Sequence, residues 1–278
     1  MQLYISSLNS GSNANCYYIG NDTDALLIDA GLSCRETEKR MKLLGLSMKK
    51  VKGVFISHEH SDHINGLQQL SKKFQLPVYI TEATLENSHI PLEKDCIRTF
   101  KHGSRMMIGD LCVHAFRKSH DAIDPHSFMI SAYGINIGVI TDIGHACKEV
   151  IACFSQCHAA FLESNYCEDM LANGNYPYHL KKRIAGSEGH LSNAAALELF
   201  RKHASKDLQQ QLLSHLSKNN NRPELAAAVF APHAGNTKIV VASRHEPSPV
   251  FCIELLPPVN APLKSLVATK LQQLSLFQ

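Results

Sequence analysis

The chain has 278 residues, of which 44% are hydrophobic and 19% are charged, so it can bury a full core as one large domain or as two. No stretch reaches the ~18 consecutive apolar residues of a membrane span, and the N-terminal residues lack the basic start and apolar core of a signal peptide. The formal net charge of +3 is too small to indicate a polyanionic partner, so any contact with nucleic acid must come from local patches.

The nine cysteines are scattered through the chain and are never arranged as C-x-x-C. This pattern favours reduced thiols over a disulfide framework, because a framework needs an even set of paired cysteines. We therefore expect a cytoplasmic protein that has no contact with a membrane.

The first hundred residues are predicted to alternate between strands and helices. Runs of apolar and β-branched residues between turn signals predict short strands over 2–7, 15–20, 25–30, 51–56 and 78–80. A helix after the third strand ends near Gly45. Apolar residues at helical spacing from Ile64 to Phe74 predict a second helix.

The second half of the chain has a different pattern. Alternating apolar and polar residues over 96–141 predict an antiparallel run of strands, and after residue 143 helices are interleaved with short strands. Because no linker separates the halves, we expect one domain over residues 1–256, made of two β-rich layers with helices outside. A break at Pro257-Pro258 precedes a polar tail over residues 257–278.

The segment SHEHSDH, residues 57–63, carries four metal-ligand side chains in six positions, which are His58, His60, Asp62 and His63. It follows a predicted buried strand and leads into a helix, so it lies where open α/β sheets place their sites. His58 and His60 can share one direction, whereas Asp62 and His63 open the helix and point elsewhere. The segment therefore predicts a binding site for two metal ions.

Three further ligand candidates follow apolar runs that are predicted as strands: His120, Asp142 and His215. One such residue is usually a polar cap, but three of them beside the histidine segment favour ligation. We assign two sets of ligands and one bridging residue: His58, His60 and His120 on one ion, Asp62, His63 and His215 on the other, and Asp142 between them. A carboxylate can bridge with its two oxygens. A water shared by two cations loses its proton near neutral pH and becomes a nucleophile, which makes Asp62 and Asp142 catalytic candidates.

Two acidic residues near these ligands have other expected roles. Asp29 either caps a turn or accepts a hydrogen bond from a ligand imidazole, as metal-bound histidines usually require. Glu59 lies between two proposed ligands, so we expect it to support the site or to face solvent.

The pattern H-x-H-x-D-H, followed by His120, Asp142 and His215, resembles the metallo-β-lactamase fold over residues 1 to 256. Closer details resemble its YycJ/WalJ-type branch, at residues 10–13, 29–33, 119–122, 162–165, 189–193 and 215–217. The resemblance implies an α/β (α+β) protein with an αβ/βα sandwich of two mixed β-sheets flanked by helices. It also implies a phosphodiesterase with 5′-to-3′ exonuclease activity on DNA and with zinc or manganese in the site. One departure is Tyr166-Cys167, where we would expect a His-Asp pair.

A phosphodiester suits a two-metal site because the metals can hold both the attacking and the leaving oxygens. His190 is the candidate that protonates the departing alkoxide, since it precedes Ser192, the predicted N-cap of a helix over 194–203. The alternative is that His190 merely packs at the helix entry. The helix start, with Ser192 and Asn193, offers backbone N–H groups to phosphate oxygens.

Three lysines could follow the backbone of a nucleic acid, namely Lys118, Lys181 and Lys182. A cluster of this kind is more often a solvated surface, and that alternative stays open. Charge reversal at Lys181 and Lys182 should flatten the salt dependence of DNA binding if they contact phosphates.

The C-terminal segment QLSLF resembles the peptide by which bacterial polymerases and repair proteins bind the DNA sliding clamp, with Gln273, Leu274, Leu276 and Phe277 as its anchors. It lies beyond the Pro-Pro break, and its apolar side chains have little else in the tail to bury them. The alternative is an amphipathic helix folded back on the domain. Beside a DNA exonuclease, the clamp is the favoured partner.

The favoured function is a dinuclear-metal DNA exonuclease with a role in repair or replication, and three alternatives stay open. An RNA-processing nuclease or a small-molecule hydrolase (thioesterase, lactonase or cyclic phosphodiesterase) would use the same ligands. A non-enzymatic clamp-binding protein could keep a structural metal, although a full ligand set counts against it. The mixed nitrogen and oxygen ligands accommodate zinc, manganese or iron.

Overall fold

The computed structural model of the chain describes residues 1–255, which form two seven-stranded sheets. The first sheet has the order β14-β1-β2-β3-β4-β5-β6, with strands β1 (Gln2–Asn9), β2 (Cys16–Gly20), β3 (Ala25–Ile28), β4 (Val51–Phe55), β5 (Val78–Ile80), β6 (Ile97–Thr99) and β14 (Phe251–Glu254). The second has the order β13-β12-β11-β10-β9-β8-β7, with β7 (Arg105–Ile108), β8 (Leu111–Arg117), β9 (His126–Ala132), β10 (Ile135–Ile140), β11 (Ala159–Glu163), β12 (Gln210–Ser214) and β13 (Lys238–Val241).

The α-helices connect the strands, and their bounds are α1 (Cys34–Leu43), α2 (Ser61–Ile64), α3 (Leu67–Phe74), α4 (Glu82–Ser88), α5 (Lys148–Phe154), α6 (Glu168–Asn173), α7 (Tyr178–Ile184), α8 (Asn193–His203) and α9 (Pro223–Phe230). None of the helices within residues 1–255 is both long and apolar enough to cross a membrane.

The main core lies between the two sheets. Tyr17 of the first sheet packs against Phe161 of the second with ring centroids 4.8 Å apart, and Phe55 packs edge-on against Phe128 at 5.8 Å. Each side chain of this size stabilises the fold by about 1.5–3 kcal/mol when it is fully buried. The two sheets therefore form a sandwich, and the strand ends of both sheets meet along one edge.

Helices cover the outer faces of the sandwich through two further apolar clusters. Leu67 and Leu70, three residues apart on one face of α3, pack into the cluster that includes Val54 of the first sheet. On the other side, Phe200 of α8 contacts Phe230 of α9 in the cluster over the second sheet. The predicted sandwich of two mixed sheets with flanking helices is confirmed.

Two details of the sequence prediction were wrong. The helix expected from Ile64 to Phe74 is two helices, because Gly66 lies against the Leu32 carbonyl and its N–H donates to the Ala30 oxygen at 2.8 Å. Strand β6 was expected in the antiparallel run, but it pairs in parallel with β5 because α4 supplies the crossover that a parallel pair needs. The remaining strands of that run, β7 to β10, are antiparallel as predicted. The predicted tail over residues 257–278, with its clamp peptide, lies outside the described residues.

Candidate metal centre

The predicted ligands come together at the edge where the strands of the sandwich end. His58, His60, Asp62 and His63 follow β4, whereas His120, Asp142 and His215 follow β8, β10 and β12. Side chains from four separate segments of the chain therefore face a common space. Together with Glu163 and His190 they form four overlapping groups of possible metal ligands, and within each group the donor atoms lie within 4.8 Å of one another.

The first group contains three imidazoles. The Nε2 atom of His58 lies 3.1 Å from Nδ1 of His60, which lies 3.4 Å from Nε2 of His120. His58 and His120 are buried, and His60 is partly exposed. The predicted set His58, His60 and His120 is thus brought to one place with an opening toward solvent.

The second group contains one carboxylate and two imidazoles. Oδ2 of Asp62 lies 3.5 Å from Nε2 of His63 and 3.4 Å from Nε2 of His215. Asn15 holds the same oxygen, because its side-chain amide donates to Asp62 Oδ2 at 3.0 Å. This is the second predicted set, and Asn15 is a supporting residue that sequence reasoning missed.

Asp142 lies between the two groups. Its Oδ2 is 3.4 Å from Nε2 of His63, and its Oδ1 is 3.3 Å from Nε2 of His215 and 4.0 Å from Nε2 of His120. Within the described chain Oδ2 is buried without a hydrogen-bond partner, which is costly for a carboxylate oxygen unless a cation or donor compensates it. The donor set and this oxygen fit a pair of divalent cations with Asp142 between them.

Asp29 fixes the orientation of one imidazole, as the sequence suggested. Its Oδ2 accepts a hydrogen bond from Nδ1 of His63 at 2.7 Å, which leaves Nε2 free to face the centre. The Ser57 hydroxyl donates to the same oxygen at 2.9 Å, and the Ser57 N–H donates to Oδ1 at 2.8 Å. The hydrogen bond that the sequence suggested between Asp29 and an imidazole is present, and the role of that imidazole as a metal ligand stays a prediction.

Three side chains of the site lie at backbone positions that most residues avoid. Asp29, Asp142 and His215 have φ values of 62°, 53° and 57°, in the left-handed region that is costly for a residue with a Cβ. Asp29 and His215 directly follow β3 and β12, and Asp142 lies two residues after the end of β10. Such strain concentrates at functional sites, where the surrounding fold holds it in place.

Glu163, at the end of β11, is a central residue that sequence reasoning did not assign. Its Oε1 lies 2.8 Å from Nδ1 of His190 and 3.2 Å from Nδ1 of His215. Its Oε2 accepts the N–H groups of Ile143 at 2.7 Å and Leu191 at 3.2 Å. The same strand-end position that identified Asp142 and His215 could have identified it.

The two groups of proposed ligands differ in their electrostatics. Burial lowers the pKa of His58 well below its usual range and lowers the pKa of His120 to about 4. Burial also opposes the charge on His215, but the Asp142 carboxylate and its neighbours raise the pKa of His215 to about 10. His58 and His120 are therefore kept neutral, whereas a cation beside His215 competes with a proton.

His190 lies beside two of the proposed ligands. Glu163 holds its Nδ1, and its ring centroid lies 5.3 Å from the rings of both His120 and His215. Burial opposes ionisation of Glu163, yet His190 and the other neighbours lower the pKa of that carboxyl to about 2. Ser192 caps α8, because its hydroxyl accepts from the Ala195 N–H at 3.1 Å, so the predicted N-cap is confirmed.

The side chains proposed for phosphate contact differ in their burial and in their hydrogen bonds. Lys118 is buried and its ammonium donates to the Thr141 carbonyl at 2.9 Å, and Lys181 donates to the Ala172 carbonyl at 2.6 Å. Lys182 is exposed on α7. Asn193 is buried, and its side-chain oxygen accepts the Ser164 hydroxyl at 2.6 Å.

Glu59 supports neighbouring segments instead of the centre itself. Its Oε1 accepts hydrogen bonds from the Asn87 side chain at 3.1 Å and from the Ile123 N–H at 2.9 Å. These bonds connect the histidine segment to α4 and to the loop after β8. The expectation that Glu59 is not a ligand agrees with this geometry.

The chain is similar to known proteins in sequence and in fold. The sequence profile of the metallo-beta-lactamase superfamily matches residues 10–126. Exodeoxyribonuclease YycJ of Bacillus anthracis is 37% identical over 231 residues, which cover 81% of this chain and 87% of that protein. Exodeoxyribonuclease WalJ of Streptococcus pneumoniae is 31% identical over 226 residues, which cover 80% of this chain and 84% of that protein. The crystal structure of the metallo-beta-lactamase fold protein YhfI from Bacillus subtilis has the same fold, with a TM-score of 0.67 and 18% identity over 90% of this chain and 99% of that chain.

Proposed function

Since the chain belongs to the YycJ and WalJ branch of the metallo-β-lactamase superfamily, we propose that it is a dinuclear-metal exonuclease that degrades DNA from 5′ to 3′. The chain is a metal-dependent hydrolase. DNA as the substrate is inferred from the names of the relatives. The 5′-to-3′ direction of degradation is inferred from the resemblance to their branch. The observation that supports the dinuclear proposal is the adjacency of two ligand groups around one buried carboxylate, Asp142.

We assign the two cations to the two groups described above. His58, His60 and His120 would hold one, Asp62, His63 and His215 the other, and Asp142 would contact both. Zinc and manganese suit this mixture of imidazole and carboxylate, and iron is a further candidate. When bound, two cations supply positive charge to a phosphodiester and lower the pKa of a water that they share.

The protein's own contribution to leaving-group departure comes from His190. Because Glu163 binds Nδ1 at 2.8 Å, the ring is oriented and Nε2 is available to a substrate. A proton on Nε2 can pass to the alkoxide that leaves the phosphorus, which is the step that a strongly basic leaving group needs most. His190 is therefore the proposed general acid, and Glu163 is its positioning residue.

DNA is proposed to approach over α7 and the start of α8. Lys182 is exposed on α7, and Arg183 on the same helix reaches Asp121, beside His120, with its Nε 2.5 Å from Oδ2. Lys181, Ser192 and Asn193 would act mainly by shaping this surface, since their polar groups bond within the protein. Lys118 would hold the Thr141 carbonyl next to Asp142.

The DNA sliding clamp is the proposed protein partner, through Gln273, Leu274, Leu276 and Phe277 in the tail. A docking peptide of this kind would deliver an exonuclease to sites of replication or repair. The nine free cysteines favour a reducing compartment such as the cytoplasm for this work. The change Phe277→Ala should weaken binding to purified clamp at least tenfold in a titration, whereas DNA digestion without clamp should not change.

Digestion of end-labelled duplex DNA by metal-loaded protein tests the function. Wild type should release label stepwise from the 5′ end, and Asp142→Ala should lose the activity because the shared carboxylate is gone. Matched RNA and a thioester or lactone panel are the controls for the alternative functions. Preferential digestion of RNA, or no digestion of DNA with zinc, manganese or iron, would overturn the proposal.

A further inference from the structure

A second cavity adjoins the metal centre on the side of His215. It has a volume of about 330 Å³, and we call it the basic pocket because its lining includes Lys218, Arg222, Arg244 and His245. Ser217 and Asn221 are neutral polar residues of the lining, although the Asn221 side chain bonds within the protein. The described lining contains no acidic side chain. A concave surface with one sign of charge concentrates ligands of the opposite sign.

The basic pocket shares its wall with the metal centre. The Ser10 hydroxyl lines the pocket and accepts the N–H of His215 at 2.7 Å. Leu216 and Ser217, the two residues after His215, continue the wall. Arg244 joins the same wall, because its Nη2 donates to the Leu216 carbonyl at 2.7 Å. A ligand in the pocket would therefore lie next to whatever the centre holds.

The positively charged side chains of the basic pocket form no ion pair within the part of the chain that the structure describes. None of the ion pairs formed by residues 1–255 includes Lys218, Arg222 or Arg244. Partial burial lowers the pKa of the Arg244 guanidinium. An anion bound in the pocket would raise that pKa again. These side chains have the charge and the donors to bind an oxyanion, and guanidinium groups fit phosphate well.

The start of α9 adds to the positive potential. Arg222 is the residue before the helix and Pro223 is its first residue, and both line the pocket. The first turn of a helix presents N–H groups and the positive end of the helix dipole. The pocket thus combines two exposed cations, a partly buried guanidinium and a helix start around one cavity.

We propose that the basic pocket binds a phosphate group of the DNA strand while the neighbouring phosphodiester lies at the metal centre. This inference rests on the proposed nuclease function and identifies a second anchor for its substrate. An anchor beside the reacting group sets the register of the strand, so it determines which phosphodiester is cut. The phosphate is either the terminal 5′-phosphate or an internal one, and both present anionic oxygens to the pocket.

The variant K218Q/R222Q tests the inference, because both side chains are exposed and their loss should not disturb folding. The matched control is R201Q/K206Q, which removes one arginine and one lysine at exposed positions in and after the last turn of α8. The pocket variant should raise KM for duplex DNA about tenfold at nearly constant kcat, and should reduce the salt slope by about two. Its hydrolysis of bis(p-nitrophenyl) phosphate should match wild type, since that small diester needs the metals alone.

Duplexes with a 5′-phosphate or a 5′-hydroxyl distinguish the two sources. Loss of a wild-type preference for the 5′-phosphate identifies the terminal group, whereas an equal rise in KM on both ends identifies an internal phosphate. If the pocket variant digests both duplexes with the KM of the control variant, the inference is wrong although the exonuclease stands. If wild type hydrolyses the small diester but no DNA, the proposed function itself fails, and the inference falls with it.

Discussion

The imidazole of His190 shares its carboxylate partner with His215, one of the proposed metal ligands. Glu163, fully buried, binds Nδ1 of His190 and also lies 3.2 Å from Nδ1 of His215. One carboxylate therefore orients a proposed acid and a proposed ligand together.

Replacement His190→Ala should slow DNA digestion about a hundredfold, because the alkoxide then leaves without a proton. Hydrolysis of bis(p-nitrophenyl) phosphate should fall much less, since p-nitrophenolate is a weak base and departs unaided. Steady-state kinetics on both substrates measure the difference. Equal losses on the two substrates would instead assign His190 to binding or to packing at the helix entry.

Replacement Asp29→Asn should weaken metal binding about ten- to a hundredfold, because His63 loses the carboxylate that fixes its ring. Titration calorimetry with zinc or manganese measures the affinity, and exposed Asp207→Asn is the matched control. A metal affinity equal to that of the control would show that the hydrogen bond at Nδ1 does not contribute to binding.

At the scale of the element, the break between α2 and α3 brings the histidine segment against the end of the first sheet. Gly66 permits the close approach, since a Cβ there would lie 1.8 Å from the Leu32 carbonyl oxygen. The break therefore has a steric origin, and the two helices can point in different directions from the same segment.

Replacement Gly66→Ala should lower the free energy of unfolding by more than about 3 kcal/mol, because backbone atoms must move to admit the methyl group. The control is Gly45→Ala, which has a φ of 69° and open space around its Cβ, and which should cost about 1–2 kcal/mol. Urea unfolding of both variants decides the point. Similar losses of unfolding free energy in the two variants would mean that the backbone at Leu32 moves at little cost.

At the scale of the whole molecule, an imidazole outside the proposed ligand set contributes a pH-dependent part of the folding stability. Nδ1 of His158 accepts the Asn136 N–H at 3.1 Å, between β10 and β11. Burial lowers the pKa of His158 from its ordinary value. The unfolded chain then binds more protons than the folded chain at mildly acidic pH, so the stabilisation is present above about pH 6.5 and is lost as the pH falls toward the folded-state pKa.

The variant His158→Asn isolates this contribution, because an asparagine oxygen can accept the same N–H but cannot be protonated. The free energy of unfolding of wild type should fall more steeply than that of His158→Asn when the pH is lowered from 7.5 to 5. Denaturant curves at both pH values supply the comparison. Parallel declines in the two proteins would assign the acid sensitivity to other groups.

The sequence allowed the sandwich and the location of the centre to be predicted because both depend on local patterns. The histidine segment follows a buried strand, and His120, Asp142 and His215 also follow strands, so topology alone brings them to one edge. Glu163 ends a strand and could have been listed as a candidate, but its role as the partner of two histidines that are remote in sequence could not be predicted from that position. The burial of Lys118 was equally hidden, since a lysine in a short loop pattern is expected to face solvent.

The histidine segment is joined to the first sheet by its own backbone. The Asn15 N–H donates to the Asp62 carbonyl at 2.7 Å, and the Ala30 N–H donates to the His63 carbonyl at the same distance. These bonds use none of the ligand atoms, so the segment keeps its shape whichever groups its side chains hold. We therefore expect the backbone of this segment to keep its path when a metal ion is removed or replaced by another. Occupancy of the centre would then follow the metal ions that the surroundings supply.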